Sequence, residues 1–280
     1  MTGIVKRKRA DVVAATDRLA LSAFIITLNE ADYLGPCLDS LRSCAQIVVV
    51  DSGSTDGTLD LVRERIADGW PIDLVERHWP GYAAQKQFAL EQCTQPWCLN
   101  IDADERLDAA LQKALPDLLD APQDIVGWRL ARRPFLIGYG YTPESARERS
   151  CLRLIRRGQG AYDLTLKVHE AIKPEGKVRS SRRGSLLHFR PLPLDEQILK
   201  ENKYSSLKAD MHMERGVRPR LHKLLLSPPL YFLRLYFRTG LWRCGRQGYI
   251  QAMTGAVYAF MTEAKKFERQ ALAQTPSVER

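Results

Sequence analysis

The sequence predicts an α/β fold, a mostly parallel sheet with helices on both faces, followed by a helical, basic and aromatic C-terminal extension. Three observations predict it. Short apolar or β-branched runs alternate with helix-like segments up to about residue 130, those runs end in turn-forming and acidic residues, and the last quarter turns aromatic and basic.

The first run is Leu21–Thr27, and after it Leu34, Cys37, Leu38 and Leu41 line one helical face. Ile47–Val50 comes next, then a helical stretch after Thr58 with Leu59, Val62 and Ile66. Ile72–Val75 precedes a helix from about Ala83 to Cys93, Trp97–Ile101 precedes one from Asp108 to Leu119, and Ile125–Leu130 closes the series. Runs so short and so uniformly apolar suit strands covered on both faces, as in a parallel sheet. Residues 131–190 are mixed: Gly138-Tyr139-Gly140, a strand-like Cys151–Ile155, then Lys167–Ala171 and Ser185–Phe189. From Asp195 to Arg215 the spacing predicts a helix, stopped by Gly216. The expected domains are an N-terminal tail over 1–18, a main domain over 19–190 and a helical region over 191–280.

With 45% hydrophobic and 27% charged residues in a chain of 280, global disorder is excluded. None of the six cysteines forms a Cys-x-x-Cys pair or a zinc spacing, so reduced, buried thiols and a cytoplasmic protein are expected. Lys6–Arg9 followed by Leu19–Leu28 imitates a signal peptide. Asp11, Asp17 and Arg18 interrupt it, however, and Asn29-Glu30 stands where a cleavage site would be. The longest apolar stretch, Leu224–Leu233, is broken by Ser227, Pro228 and Pro229 and is too short to span a bilayer.

The net charge is +9, and residues 203–270 hold thirteen Lys/Arg against four acids. Within them, Pro228–Arg246 interleaves Tyr231, Phe232, Leu235, Tyr236, Phe237, Leu241 and Trp242 with Arg234, Arg238, Arg243 and Arg246. That mixture suits a peripheral contact with the anionic inner face of the inner membrane. The alternative is a helical subdomain that packs its aromatics inward and leaves its arginines solvated. A nucleic-acid partner is not expected, because no binding signature is present and acidic strand ends repel phosphate.

In parallel sheets ligands bind at the carboxyl ends of strands, so the chemistry is sought there. The second run ends in Asp51-Ser52-Gly53-Ser54-Thr55-Asp56-Gly57-Thr58, which alone reads as a capped strand-to-helix turn. Asp102-Ala103-Asp104-Glu105 follows Trp97–Ile101. In extended chain, positions i and i+2 face one side about 6.5 Å apart. Asp102 and Asp104 would then look into one cleft and repel each other unless a cation joined them. Hard oxygen ligands select Mg²⁺ or Mn²⁺. Alone, the same residues make a solvated acidic turn.

Taken in order, Thr27-Leu28-Asn29-Glu30, the Asp51 segment, Gly81 with Gln85-Lys86-Gln87, and Asp102-x-Asp104 resemble the inverting family 2 glycosyltransferases of GT-A fold. The likeness covers Leu21–Arg106, and one departure is Gln87, where the family has Asn. The resemblance implies that Thr27, Glu30 and Asp51 frame the nucleotide base, uracil by the family's habit, and that Lys86 lies against the nucleotide. It implies that Asp102 contacts the ribose or metal and that Asp104 ligates the metal bridging the two phosphates. An inverting transfer needs a general base. Glu170, in Lys167-Val168-His169-Glu170, is the candidate, Asp163 the reserve, and a surface carboxylate the equal alternative for Glu170. His169 and His188 are candidates for phosphate or metal contact, although a lone histidine is more often structural. Beyond residue 130, Arg153, the His-Glu pair, Leu187-His188, Lys203-Tyr204 and Tyr236–Gly240 resemble the bacterial branch that adds glucose or a related sugar to the lipopolysaccharide core. Arg153 and His169 join the substrate-binding set on that ground.

The expected activity is thus metal-dependent transfer from a nucleotide-sugar, a UDP-sugar by the resemblance, to a hydroxyl of a glycan or lipid-linked acceptor. A nucleotidyltransferase is one alternative, but it would carry a Gly-rich basic loop where this chain has Asn29-Glu30-Ala31-Asp32. A catalytically silent sugar-nucleotide-binding scaffold protein is the other.

Overall fold

The computed structural model describes residues 18–146, 150–164 and 171–274. The chain forms the expected α/β fold. Its first half runs β1 (Leu19–Thr27), α1 (Ala31–Asp39), β2 (Cys44–Asp51), α2 (Thr58–Ala67), β3 (Ile72–Glu76), α3 (Tyr82–Glu91), β4 (Trp97–Asn100), β5 (Glu105–Leu107), α4 (Ala109–Leu119) and β6 (Ile125–Leu130). There follow β7 (Arg132–Leu136), β8 (Gly140–Tyr141), β9 (Cys151–Arg156), β10 (Gly160–Tyr162), β11 (Ile172–Pro174), β12 (Lys177–Ser180) and β13 (Leu186–His188). Three long helices end the chain: α5 (Leu194–Glu214), α6 (Leu221–Leu233) and α7 (Gly245–Gln274).

Seven strands form the main sheet in the order β12-β6-β9-β4-β1-β2-β3. β1 lies parallel to β2 and β4, and β2 parallel to β3. β9 breaks the pattern, pairing antiparallel with both β4 and β6. Alternation along the strands sends side chains to opposite faces. Leu21, Ala23, Ile25, Ile47 and Val49 join Leu34, Leu38, Val62 and Leu111 on one face. Phe24, Val48 and Val50 join Ala89 and Leu90 of α3, with Tyr162 and Ile172, on the other. Both faces are therefore dry, and each fully buried Leu, Ile or Phe contributes about 1.5–3 kcal/mol relative to exposure. α4 starts on a side-chain cap, since the Asp108 carboxylate accepts from the Leu111 amide at 2.7 Å. All six cysteines are free, and five are buried.

The chain divides into two compact units, residues 1–132 with 149–189 and residues 133–148 with 190–280. In the second, Leu136 and Ala146 pack with Leu241, Cys244 and Ala252. α7 is flanked by α5 and α6. Tyr231 lies against Tyr258, and both Phe232 and Tyr236 pack edge-on against Tyr249. A Cβ at Gly255 of α7 would meet Leu235 at 2.4 Å, so the small residue permits that close approach. These aromatics thus face a neighbouring helix, while Arg234 and Arg238, on the π turn that extends α6, are exposed. Among the described residues no helix is long and apolar enough to cross a membrane.

Candidate active site

Register sets the floor of the site. Thr27 stands opposite Asp51 where β1 and β2 end, and the Thr27 hydroxyl donates to Asp51 Oδ2 at 2.8 Å. Asp51 is completely buried. Its Oδ1 accepts the amides of Gly53 and Ser54 at 2.9 and 2.7 Å, and Oδ2 also takes the Ser54 hydroxyl at 2.6 Å. A carboxylate can be buried here because four donors replace its water.

The loops after β1 and β2 are then laced together. The Asn29 amide donates to the Ser54 hydroxyl, and Asn29 Oδ1 accepts from the Thr55 amide, each at 2.8 Å. Glu30 N donates to the Thr58 hydroxyl at 2.9 Å and Ala31 N to Asp56 at 3.1 Å. Asn29 adopts φ +56°, a left-handed conformation that Asn tolerates better than most residues. Hydrogen bonds, first the Thr58 hydroxyl, hold the Asp56 carboxyl below its ordinary range. Thr27 and Asp51 therefore meet directly, and Glu30 is tied through its backbone to Thr58 at the start of α2. What spacing did not reveal is that much of the motif's polarity ties loop to loop.

The Asp-x-Asp segment departs from the extended geometry expected of it. β4 ends at Asn100, and the Glu105 amide bonds back to the Asp102 carbonyl at 2.9 Å, closing a turn. The two carboxylates accordingly meet different partners. Asp102 Oδ1 pairs with Lys86 Nζ at 3.0 Å and Oδ2 with Arg153 at 2.9 Å. Arg153 also reaches Glu105 Oε1 at 2.9 Å and Asn100 Oδ1 at 2.7 Å. Arg132 approaches the same Glu105 oxygen at 3.5 Å. Burial opposes charge on Asp102, but Arg153 and Lys86 outweigh it and hold the carboxyl well below the usual range. Glu105 is pushed up, by burial first and by the Asp102 charge, with Arg153 opposing. Burial likewise opposes the Arg153 charge, yet Asp102 and Glu105 keep it more firmly protonated than usual.

Asp104 faces the other way. β13 pairs with β5 so that His188 lies opposite Glu105, and the Phe189 amide donates to the Asp104 carbonyl at 2.8 Å. This brings His188 Nε2 within 3.2 Å of Asp104 Oδ2, both side chains largely buried. The carboxylate oxygen is a hard donor of the kind Mn²⁺ and Mg²⁺ take, and the imidazole nitrogen beside it suits a transition ion rather than Mg²⁺. Among the described residues no three His, Cys, Asp or Glu side chains cluster as a metal cage. A cation would therefore draw its other ligands from a diphosphate and water, the normal habit of Mg²⁺.

Of the remaining candidates, Glu170 and His169 lie outside the described residues. Asp163 is paired with Lys173 at 2.7 Å. Gln87, the departure from the family pattern, accepts the Tyr162 amide at 2.8 Å and so links α3 to β10. Gln85 is buried and donates to the Ser52 hydroxyl at 3.1 Å. Sequence reasoning passed over Glu105 and Asn100 as site residues. Only their place within three residues of Asp102 hinted at them.

The sequence model described as Glycosyl transferase family 2 matches residues 22–165. The lipopolysaccharide core biosynthesis glycosyltransferase LpsC of Rhizobium meliloti is 68% identical over 94% of this chain and 97% of its own. An uncharacterized glycosyltransferase of Rickettsia bellii is 27% identical over 88% of this chain and 85% of its own. Among solved structures, a mannosyltransferase of Pyrobaculum calidifontis in complex with GDP-Man and Mn²⁺ superposes with a TM-score of 0.50 at 17% identity, covering 94% of this chain and 78% of that one. The sheet is thus of the GT-A type.

Proposed function

The chain belongs to glycosyl transferase family 2, and from that premise we propose an inverting transfer from a nucleotide-sugar, a UDP-sugar by the motif pattern, to an acceptor hydroxyl. The likeness to LpsC along nearly the whole of both chains supports an acceptor in the lipopolysaccharide core or a related envelope glycan, presented on lipid. One observation carries the reading. Asp104 and His188 stand 3.2 Å apart beside the Lys86–Asp102–Arg153 chain of charges, at the carboxyl edge of the sheet.

Thr27, Glu30 and Asp51 form the wall against which the base rests, with the Asp51 loop held rigid by its own hydrogen bonds. Lys86 lies toward the nucleotide and, with Arg153, fixes the Asp102 carboxylate for the ribose. Asp104 and His188 would hold the divalent cation, with Asp102 near it. Such an ion offsets the charge that develops on a departing diphosphate. The acceptor oxygen attacks the anomeric carbon on the face opposite the nucleotide, its proton passes to a carboxylate, for which we propose Glu170, and the nucleoside diphosphate leaves.

The test is a panel of nucleotide sugars with Mg²⁺ or Mn²⁺, following nucleoside diphosphate release with and without lipopolysaccharide acceptors. Acceptor-dependent release is expected, and Asp104→Ala should abolish it. Near-normal turnover in that variant removes the metal assignment. Pyrophosphate release would favour a nucleotidyltransferase, and donor binding without turnover a scaffold.

A further inference from the structure

The second unit resolves the contrast between aromatic and arginine residues in an unexpected way. Tyr231, Phe232 and Tyr236 are taken up by packing on Tyr258 and Tyr249, so they are not the exposed apolar surface. The opposite side of α6 is. Leu226, Leu230, Leu233 and Phe237, spaced at i, i+4, i+7 and i+11, are 55%, 61%, 48% and 59% exposed. Leu225 and Pro229 widen the same stripe and are exposed as well. Four large apolar side chains on one helix face, uncovered along its length, are not the scattered exposure normal for a soluble surface.

Charge indicates what covers them. Lys223, Arg234 and Arg238 are exposed along the stripe. Between Glu214 and Glu263 the chain contains eight Lys/Arg and no Asp or Glu. A second copy of this chain would oppose cation to cation across a two-fold contact, which like-charge repulsion disfavours. An anionic lipid surface satisfies both features at once, taking the leucines into its acyl boundary and the basic rim among its headgroups. No helix among the described residues is long and apolar enough to cross a bilayer, so the contact is one of surface docking.

We propose that the leucine face of α6, rimmed by Lys223, Arg234 and Arg238, docks the protein on an anionic membrane. Donor chemistry plays no part in this contact, and it is measured without donor. The full chain is floated with phosphatidylcholine vesicles, with or without phosphatidylglycerol, at low and high salt. Wild type should float with the anionic vesicles alone, and salt should release it. Leu226→Glu/Leu230→Glu changes only exposed positions, so it should keep the wild-type circular dichroism and lose flotation. Each basic residue near such a surface is worth about 1 kcal/mol, roughly fivefold in partitioning. The triple variant Lys223→Gln/Arg234→Gln/Arg238→Gln should therefore bind about a hundredfold more weakly. Wild type that stays unbound at low salt, or leucine variants that float as wild type does, overturns the proposal. A vesicle-free dimer in sedimentation that Leu226→Glu/Leu230→Glu dissolves also overturns it, and assigns the face to a second copy.

Discussion

Replacing Arg153 by Met tests the view that this buried arginine positions the acidic end of β4. Arg153 makes three charge-assisted hydrogen bonds, at 2.7, 2.9 and 2.9 Å, to Asn100, Asp102 and Glu105. Asp102 would keep Lys86 and a partly open face. Glu105 would fare worse, because its side chain is 0% exposed and, among the described residues, Arg132, 3.5 Å away and itself a third exposed, is the ion-pair partner that would remain. Removing one partner of a buried ion pair costs about 3–5 kcal/mol, mostly through the charge left behind. Arg132 shields part of that charge, so we expect a loss near the lower figure, about 3 kcal/mol. Arg153→Met/Glu105→Gln removes the stranded charge and should recover about 1–2 kcal/mol of it. Arg153→Lys should fall in between, because a compact ammonium cannot reproduce the planar spread by which the guanidinium reaches Asn100, Asp102 and Glu105. Urea unfolding followed by tryptophan fluorescence would measure this, since Trp97 in β4 and Trp128 in β6 both lie in the first unit. A single-variant loss below about 1 kcal/mol, or a double variant no more stable than Arg153→Met, would refute the positioning role.

Three further outcomes are expected. Asp51→Asn leaves a neutral amide where four donors converge; it should cost about 1.5–3 kcal/mol and weaken nucleotide binding by calorimetry, and an unchanged melting temperature would contradict it. Gly184→Ala should destabilise more than Gly158→Ala: both glycines have positive φ, but a Cβ at Gly184 would sit 2.2 Å from the Leu111 amide, whereas nothing lies within 4 Å of one at Gly158. Thermal melts showing equal losses would mean α4 shifts freely. Finally, the folded state depresses the Asp102 carboxyl, so its contribution is complete above the unfolded value of about 4 and fades as pH falls through the folded one. The stability gap between wild type and Asp102→Asn should accordingly narrow from pH 5 to pH 3 in denaturant titrations, and a constant gap would argue against the pairing with Lys86 and Arg153.

The main-sheet strands of the first half were legible because each is a short apolar run bounded by turn residues, and burial on both faces leaves little freedom in that pattern. The helix from Asp195 stopped at Gly216 for a local reason too, the glycine's φ of +72°. The acidic turn was misread because extended geometry was assumed beyond Asn100, whereas the Glu105 amide folds back on Asp102. Glu105 was passed over, and the pairing of the candidate His188 with Asp104 was not foreseen, because the partners are remote in sequence. Arg153 lies 48 residues from Glu105, and His188 84 from Asp104. No local periodicity encodes such meetings. The stripe on α6, by contrast, was present in the spacing of Leu226, Leu230, Leu233 and Phe237, and the neighbouring aromatics drew attention away from it.

The lacing of the β1 and β2 loops bears on thermodynamics. Ordering a backbone residue costs about 1–2 kcal/mol, and here protein–protein hydrogen bonds tie Asn29, Ser54, Asp56 and Thr58 to one another, so folding itself carries that cost. On the proposed function, a nucleotide arriving on such a surface would forfeit little affinity to loop freezing. The same stitching makes the two segments mutually dependent, so a replacement in either is felt by both, and on the proposed function any specificity for the base would belong to the pair.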